Sequence, residues 1–388
     1  MNVIDLFAGV GGFSTGLKQA GFDIILANEI DSQIAYSYKQ NHLDTLVVNE
    51  DISKLIENYS EIINTNILTQ KLNAKSINNK LSKIDLIVGG PPCQGFSMAG
   101  GRIRKSNEFI EDPRNYLFKQ YFKIIQKFEP KYFIFENVAG ILSMNNGEII
   151  DEIEQLFTNK NNFVNGKYYV QKKVFCANDF GIPQKRKRLI LIGSKTPFNL
   201  DEMIELTLNK ISTEKQQLFK NKTNIHDAIA DLKFADEAHY TSKQNYKIKQ
   251  TSAYQKYLKG AQEYIFNHLI PNHSEIVIDR IKRIKAGQNW TNLIEKDKIK
   301  SIHSGAYGRL GWNELSATIT TRFDTPSAGR FIHPELNRNI TPREAARIQS
   351  FPDDFVFHGN KTSICKQIGN AVPPLLAEFL GNLILNIK

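Results

Sequence analysis

Three groups of side chains in this 388-residue sequence have the types and spacing for chemistry. The first is Cys93, within Gly89-Gly90-Pro91-Pro92-Cys93-Gln94-Gly95-Phe96-Ser97. The two prolines fix φ and remove two backbone donors, which stiffens the approach to the thiol. Gly95 and Gly100-Gly101 follow, with Arg102, Arg104 and Lys105 close by. A rigid seat leading into a Gly-rich basic loop suits a nucleophile beneath a closing lid. A lone cysteine is more often a small buried hydrophobe, but Pro, Gln and Gly are poor core neighbours. The second group is Glu136, in Phe135-Glu136-Asn137-Val138, which by itself reads as an ordinary strand-end acid. The third is Pro183-Gln184-Lys185-Arg186-Lys187-Arg188. Alternation in an extended segment puts Arg186 and Arg188 on one side and leaves Lys185 and Lys187 as basic surface residues. Two guanidiniums so placed can orient Glu136 and meet a base carbonyl or a phosphate.

A ligand pocket is written nearer the N-terminus. Asp5-Leu6-Phe7-Ala8-Gly9-Val10-Gly11-Gly12-Phe13 reads as a glycine turn between a first strand and a first helix. Gly9, Gly11 and Gly12 let the backbone turn tightly and approach a ligand. Glu29 lies 20 residues beyond Gly9 at the end of the second strand, placed to accept hydrogen bonds from ribose hydroxyls. Asp51, in Glu50-Asp51-Ile52, follows the third strand and is placed to meet an adenine edge. A nicotinamide fingerprint wants a third glycine near position 14, where Ser14 stands. An adenosyl cofactor without phosphate, such as S-adenosylmethionine, is therefore favoured, although a dinucleotide stays open on these residues alone. The cofactor's carboxylate would sit on N–H groups at the helix start, with Asp5 near its ammonium.

These residues need a frame. Val3–Phe7, Ile24–Asn28, Leu46–Val48, Asp85–Val88, Tyr132–Phe135 and Leu189–Ile192 are short continuous apolar runs. Such runs predict parallel strands buried on both faces. Alternating with helical stretches, they predict an α/β fold: a Rossmann-like sheet with helices on both faces. Ligands bind such sheets outside the carboxyl ends of the strands. Residues 53–83 lack Gly and Pro and predict a helical insertion, solvated on one side. After Gly193 the texture changes. Between Ser194 and Arg338 there are 22 Lys and Arg against 16 Asp and Glu, as expected of a second, basic domain. There Lys243, Lys247, Lys249, Lys256 and Lys259 interleave with Tyr246, Tyr254 and Tyr257, and Arg280, Lys282, Arg283 and Lys285 form another cluster.

Composition sets outer bounds. The net charge is +10, a weak pointer to a polyanionic partner. Cys93, Cys176 and Cys365 form neither a disulfide framework nor a CxxC metal pair, so no metal is expected and a reducing cytoplasm fits best. No apolar run is seen to approach the roughly 18–20 residues of a membrane span. The N-terminus lacks a signal-peptide pattern.

Taken in order, DLFAGVGGF, ANEID, EDI, GGPPCQGFS, ENV, QKRKR, ITPREAARIQSFPD (340–353) and QIGNAVPP (367–374) resemble the motifs of the DNA (cytosine-5)-methyltransferases of bacterial restriction–modification type. The resemblance covers nearly the whole chain except the region around 53–83 and much of 194–300. It implies the S-adenosylmethionine-dependent methyltransferase sheet plus a smaller DNA target-recognition domain. The expected division is 1–193 catalytic and cofactor-binding, 194–338 target recognition, 339–364 hinge, and 365–388 completing the catalytic domain.

The resemblance implies roles. Cys93 would add to C6 of a cytosine flipped out of duplex DNA. Glu136 would bind the base's N3 and exocyclic amine, and Arg186 and Arg188 would hold its O2 and brace Glu136. S-adenosyl-L-methionine, leaving as S-adenosylhomocysteine, would meet Asp5, Phe7, Gly9, Gly11, Gly12, Phe13, Glu29, Ile30, Asp51, Ile52, Pro91, Asn370 and Ala371. Ile30 stands where relatives often carry an aromatic residue beside the adenine. Gln94, Ser97 and Arg102 in the loop, and Arg309 and Arg322 in the second domain, are the expected DNA contacts. The partner is double-stranded DNA, bound by a monomer, and any cognate restriction endonuclease would be a separate chain. Relatives acting on transfer RNA carry a Cys-Phe-Thr segment in the second domain, which is absent here. A non-catalytic DNA-binding regulator is disfavoured by the intact Cys93, Glu136, Arg186 and Arg188.

Overall fold

A computed structural model describes residues 1–92, 117–211, 217–218, 222–234, 243–294 and 305–387. The expected site residues Cys93, Gln94, Ser97 and Arg102 lie outside the described residues. Contacts divide the chain into two compact units: Met1–Phe175 with Lys187–Ile211 and Ala377–Lys388, and Cys176–Arg186 with Ser212–Leu376.

The first unit is built on a seven-stranded sheet. Its strands are β1 (Asn2–Leu6), β2 (Asp23–Asn28), β3 (Leu46–Val48), β4 (Leu86–Gly89), β5 (Tyr132–Val138), β6 (Tyr169–Cys176) and β7 (Lys187–Ser194), in the order β3-β2-β1-β4-β5-β7-β6. The six apolar runs are the six strands other than β6. From β3 through β5 all pairings are parallel. The expectation of a parallel sheet fails at β7, which runs antiparallel to β5, with Tyr132 opposite Ser194 and Val138 opposite Arg188. Local apolar patterning is blind to strand direction. β6 went unrecognised because it is an edge strand: only Phe175 in Tyr169–Cys176 is buried, and Lys172 and Lys173 pair outward with Glu154 and Asp201. Charges of this kind keep an open edge from pairing with another chain.

The region 53–83 is helical as expected, in Ile52–Glu57, Tyr59–Thr69 and Ala74–Leu81. It buries Leu55, Ile63, Ile67, Ile77 and Leu81 in the core and exposes the opposite faces. It also covers the other sheet edge. The Gln70 side-chain amide accepts from Val47 N at 3.1 Å and donates to Val47 O at 2.5 Å, as a neighbouring strand would. The helix Leu200–Lys210 joins the C-terminal helix through Lys210 Nζ to Asn386 Oδ1 at 2.9 Å. One run, Lys361–Asn386, is long and apolar enough to cross a membrane by length and composition, contrary to the sequence reading, and 78% of its apolar 18-residue stretch is buried inside the fold. It forms two helices, Lys361–Asn370 and Pro374–Asn386.

In the second unit the segment 340–353 is a buried polar framework. Thr341 caps the helix Pro342–Ile348 in a reciprocal box with Glu344, and Pro342 occupies the first turn, where its missing N–H costs nothing. Arg338 holds Glu344 in a bidentate pair at 2.7 and 2.8 Å. Burial alone would raise the Glu344 carboxyl, but the Arg338 charge and hydrogen bonds bring it down to about 2. Arg347 pairs with both Asp353 and Asp231, all three buried.

Arg309 is likewise buried within the second unit and does not lie at the surface. It is 4% exposed, and its guanidinium donates to the carbonyls of Ile281, Ile284, His333 and Leu336 and to Asn337 Oδ1. The expectation that it contacts DNA is corrected on this ground: all its donors are spent inside the unit. Arg309→Met should lower stability by about 3 kcal/mol, because it strands buried acceptors. A denaturant midpoint shift at unchanged m-value, with DNA affinity of the folded protein unaltered, is the expected measurement.

Candidate active site

β1, β2 and β3 are neighbours in the sheet, and the residues that trail them lie together in the first unit, Gly9 N on Glu29 and Asn28 on Glu50 O. The loop after β1 is tight: Phe7 has φ 54°, Gly9 55° and Gly11 94°. A non-glycine residue at positive φ, as at Phe7, costs roughly 1–3 kcal/mol and concentrates at functional loops. Gly11 is obligatory twice over, since a Cβ there would also lie 2.5 Å from His42 Nε2 and 2.8 Å from the Tyr38 ring. A Cβ on Gly9, by contrast, would meet nothing within 4 Å, so the loop presents open space at that point.

Two acids sit beneath and beside the loop. Asp5 is buried and accepts from Ser14 Oγ at 2.6 Å, and Ser14 Oγ accepts from Tyr38 Oη at 2.7 Å. Burial pushes the Asp5 carboxyl up to about 7 in spite of the Ser14 hydrogen bond. Glu29 accepts from Gly9 N and Asp31 N, each at 2.9 Å, and burial raises it too. Neither acid has a cationic partner among the described residues. Ile30 is 66% exposed beside them.

Asp51 caps the helix Ile52–Glu57 by accepting from the Ser53 amide and hydroxyl, which hold its carboxyl below the usual range. Phe13 and Ile52 are buried, and Phe7 is half-buried against the core. Gly12 opens the helix Gly12–Gln19. The Asp5–Ser14–Tyr38 chain was missed in the sequence, since nothing there links Tyr38 to Ser14.

The second cluster lies where β4 and β5 end and β7 begins. Because β7 is antiparallel, its N-terminal residues reach the carboxyl ends of the parallel strands. Glu136 opposes Ile190 and Val138 opposes Arg188, so Glu136 and Arg188 are diagonal neighbours on one face. Arg188 Nε lies 2.7 Å from Glu136 Oε1, with the side chains 14% and 12% exposed. The carboxylate also packs on Gly90, where a Cβ would fall 2.7 Å from Glu136 Oε2. Asn137 Nδ2 donates to Pro91 O at 3.2 Å. The structure thus brings Glu136, Arg188, Gly90 and Pro91 together, two residues before Cys93 in the chain.

The remaining expected residues fall in the second unit. Arg186 is buried and donates to Gly369 O at 3.1 Å and Ile319 O at 3.4 Å, while Lys185 and Lys187 are exposed as the alternation implied. Gln184 ties Ile319 N to Gln349. Asn370 is exposed at the end of its helix and Ala371 is buried. Arg322 is exposed. In the Lys–Tyr cluster, Tyr254 donates to Arg347 O and Tyr246 to Asp353. Lys243 and Lys259 lie over the Tyr264 and Tyr246 rings at 5.1 Å.

The family model described as C-5 cytosine-specific DNA methylase matches residues 1–386. Type II methyltransferase M.DdeI of Desulfomicrobium norvegicum is 34% identical over 401 residues, spanning 99% of this chain and 88% of that protein. Type II methyltransferase M1.HphI of Haemophilus parahaemolyticus is 33% identical over 388 residues, spanning 100% and 87%. The crystal structure of a putative DNA modification methyltransferase encoded within an Escherichia coli prophage is 30% identical. It superposes with a TM-score of 0.71, covering 100% of this chain and 99% of that one.

Proposed function

Because this chain belongs to the C-5 cytosine-specific DNA methylase family, we propose that it methylates C5 of a cytosine flipped out of a specific duplex DNA sequence, through a covalent bond from Cys93 to C6. The observation that carries this reading is the Glu136–Arg188 pair, packed on Gly90 at the root of the Cys93 segment.

Cytosine C5 is a poor nucleophile until a thiolate adds to C6. That addition moves the C5–C6 electron pair into the ring, and N3 takes up negative charge. Glu136 faces N3 and the exocyclic amine and stabilises that charge through a shared proton. Arg188 fixes the carboxylate so that no reorganisation is needed when the base arrives. C5 is then nucleophilic. After methylation a water molecule takes the C5 proton, the C5–H electron pair re-forms the C5–C6 double bond, and the C6–S bond breaks to expel the Cys93 thiolate. Extrusion of the base costs roughly a few kcal/mol, which contacts to the DNA must replace. Gln94, Ser97, Arg102 and Arg322 are proposed for those contacts, and Arg186 for the base's O2.

S-adenosyl-L-methionine supplies an electrophilic methyl group when bound. The pocket fits it. A buried acid, Asp5, and a half-buried one, Glu29, with no cationic partner among the described residues suit a ligand carrying a sulfonium and an ammonium, and would repel a pyrophosphate. Glu29 is proposed for the ribose, Asp51 and Ile30 for the adenine, Asp5 for the ammonium, and Asn370 for closing over the cofactor.

A pH dependence follows. With its carboxyl at about 7, Asp5 is neutral in the free protein below that pH and ionised above it. A cationic ligand needs the ionised form. Cofactor affinity should therefore weaken by about tenfold per pH unit below 7 and level off above it. Calorimetric titration between pH 5.5 and 8.5 checks this, and Asp5→Asn should flatten the profile.

The direct test of the function is transfer of tritiated methyl from S-adenosyl-L-methionine to duplex DNA, followed by base analysis. Label on 5-methylcytosine supports the reading; label on adenine or on RNA only would overturn it. The type II relatives favour a role in a restriction–modification system, acting beside an endonuclease on a separate chain.

A further inference from the structure

The second residue of the Glu136-Asn137 pair is unassigned by the mechanism above, yet it is 4% exposed and its amide is committed at both ends. Asn137 Oδ1 accepts from Val138 N at 2.8 Å, and Asn137 Nδ2 donates to Pro91 O at 3.2 Å. The orientation of this amide is forced. Val138 N–H can only donate and the Pro91 carbonyl can only accept, so the amide cannot be reversed without losing both bonds.

The need for such a donor is written in the chain. Pro91 and Pro92 have no N–H, so this stretch offers only carbonyl oxygens by which its backbone can be held. β4 stops at Gly89, where the sheet's hydrogen-bond ladder ends. Beyond it, the next attachment among the described residues is supplied by β5. Glu136 packs on Gly90 and Asn137 holds Pro91, one residue after the other. Consecutive side chains leave a strand on opposite faces, so the Gly90-Pro91 backbone is gripped from two sides. One of those grips is the carboxylate that binds the base.

We infer that Asn137 is a positioning residue: its amide, by holding the Pro91 carbonyl, fixes the segment that leads to Cys93 relative to Glu136. This rests on the functional reading above in taking Cys93 as the nucleophile. Asn137 itself touches no reacting atom. It acts through Pro91, and small misplacements of reacting groups cost about 10²-fold in rate.

The experiment uses the full chain with Asn137→Asp, nearly isosteric but without the N–H donor, and Asn137→Ala. Two readouts are taken. The first is hydrogen exchange in the peptide Gly89–Phe96, with peptides from β1 and β2 as internal controls. The second is kcat and KM for methyl transfer to unmethylated genomic DNA. Exchange in Gly89–Phe96 should rise at least fivefold in both variants with the controls unchanged. At the same time kcat should fall about 10²-fold, with both KM values within threefold of wild type.

Unchanged exchange would overturn the inference, whatever happens to kcat, because the hold on Pro91 would then not matter. A kcat within threefold of wild type would also overturn it. If Asn137→Ala does not fold, Asn137→Asp carries the test. A wild-type protein that transfers no methyl to cytosine would sink the functional reading, and the exchange data alone would then decide whether Asn137 holds the segment.

Discussion

Cys93→Ser protein is expected to bind duplex DNA within about threefold of wild type and to transfer methyl groups slower by four orders of magnitude or more, roughly the loss seen when a nucleophile is removed. A cysteine thiol ionises near 8.5, so an appreciable thiolate fraction exists at neutral pH and is readily enlarged by nearby positive charge. A serine hydroxyl reaches nothing comparable without a strong base positioned beside it. The substitution changes one atom, so contacts made by the rest of the segment have no reason to change. The separation of binding from turnover is therefore the informative result. Turnover within tenfold of wild type would mean that no covalent bond from this residue is needed, and the proposed addition to C6 would fall. Equal loss of binding and turnover would make Cys93 a structural residue.

Glu136→Gln should lower the single-turnover rate on pre-bound DNA by about 10²–10³-fold, the range for losing a positioned proton-sharing or charge-stabilising group. The amide keeps the size of the carboxyl and its seat on Gly90, but it can no longer share a proton with N3 or pair with Arg188 as a charge. Cofactor affinity should not move, because among the described residues Asp5 bonds Ser14 and Glu29 bonds Gly9 and Asp31, not this pair. Arg188→Lys is the companion. A lysine restores charge without the planar guanidinium, so it should recover only part of the rate. A Glu136→Gln rate within a factor of five of wild type would remove Glu136 from the chemistry.

The frame of this molecule was legible because its strands are buried on both faces and so appear as unbroken apolar runs. The two acids were legible from the same runs: Asp5 interrupts the first of them and Glu29 directly follows the second. What stayed hidden depends on pairings that local patterns do not encode. Nothing in Leu189–Ile192 says that β7 runs backwards, yet that reversal delivers Arg188 to Glu136. Arg309 and Arg188 look alike as arginines beside an apolar stretch. Only the fold shows that one is closed in by backbone carbonyls while the other faces a carboxylate. The acids and arginines of 338–353 find each other only after their helix forms, and Asp231 joins from more than a hundred residues away. β6 was missed because an edge strand keeps charges on both sides. Asn137 stands in the sequence only as part of a motif, and its task is visible only with the Pro91 carbonyl in place.

The chain is proposed to place a methyl group on C5 of cytosine at a defined DNA sequence using Cys93 and Glu136. Bisulfite sequencing of DNA from a methylation-free host expressing the wild-type chain, beside the same host expressing Cys93→Ser, tests it most directly. Protected cytosines are expected at one short recurring sequence in the first host and none in the second. Full conversion of every cytosine in both hosts, or the same protection in both, would contradict the proposal.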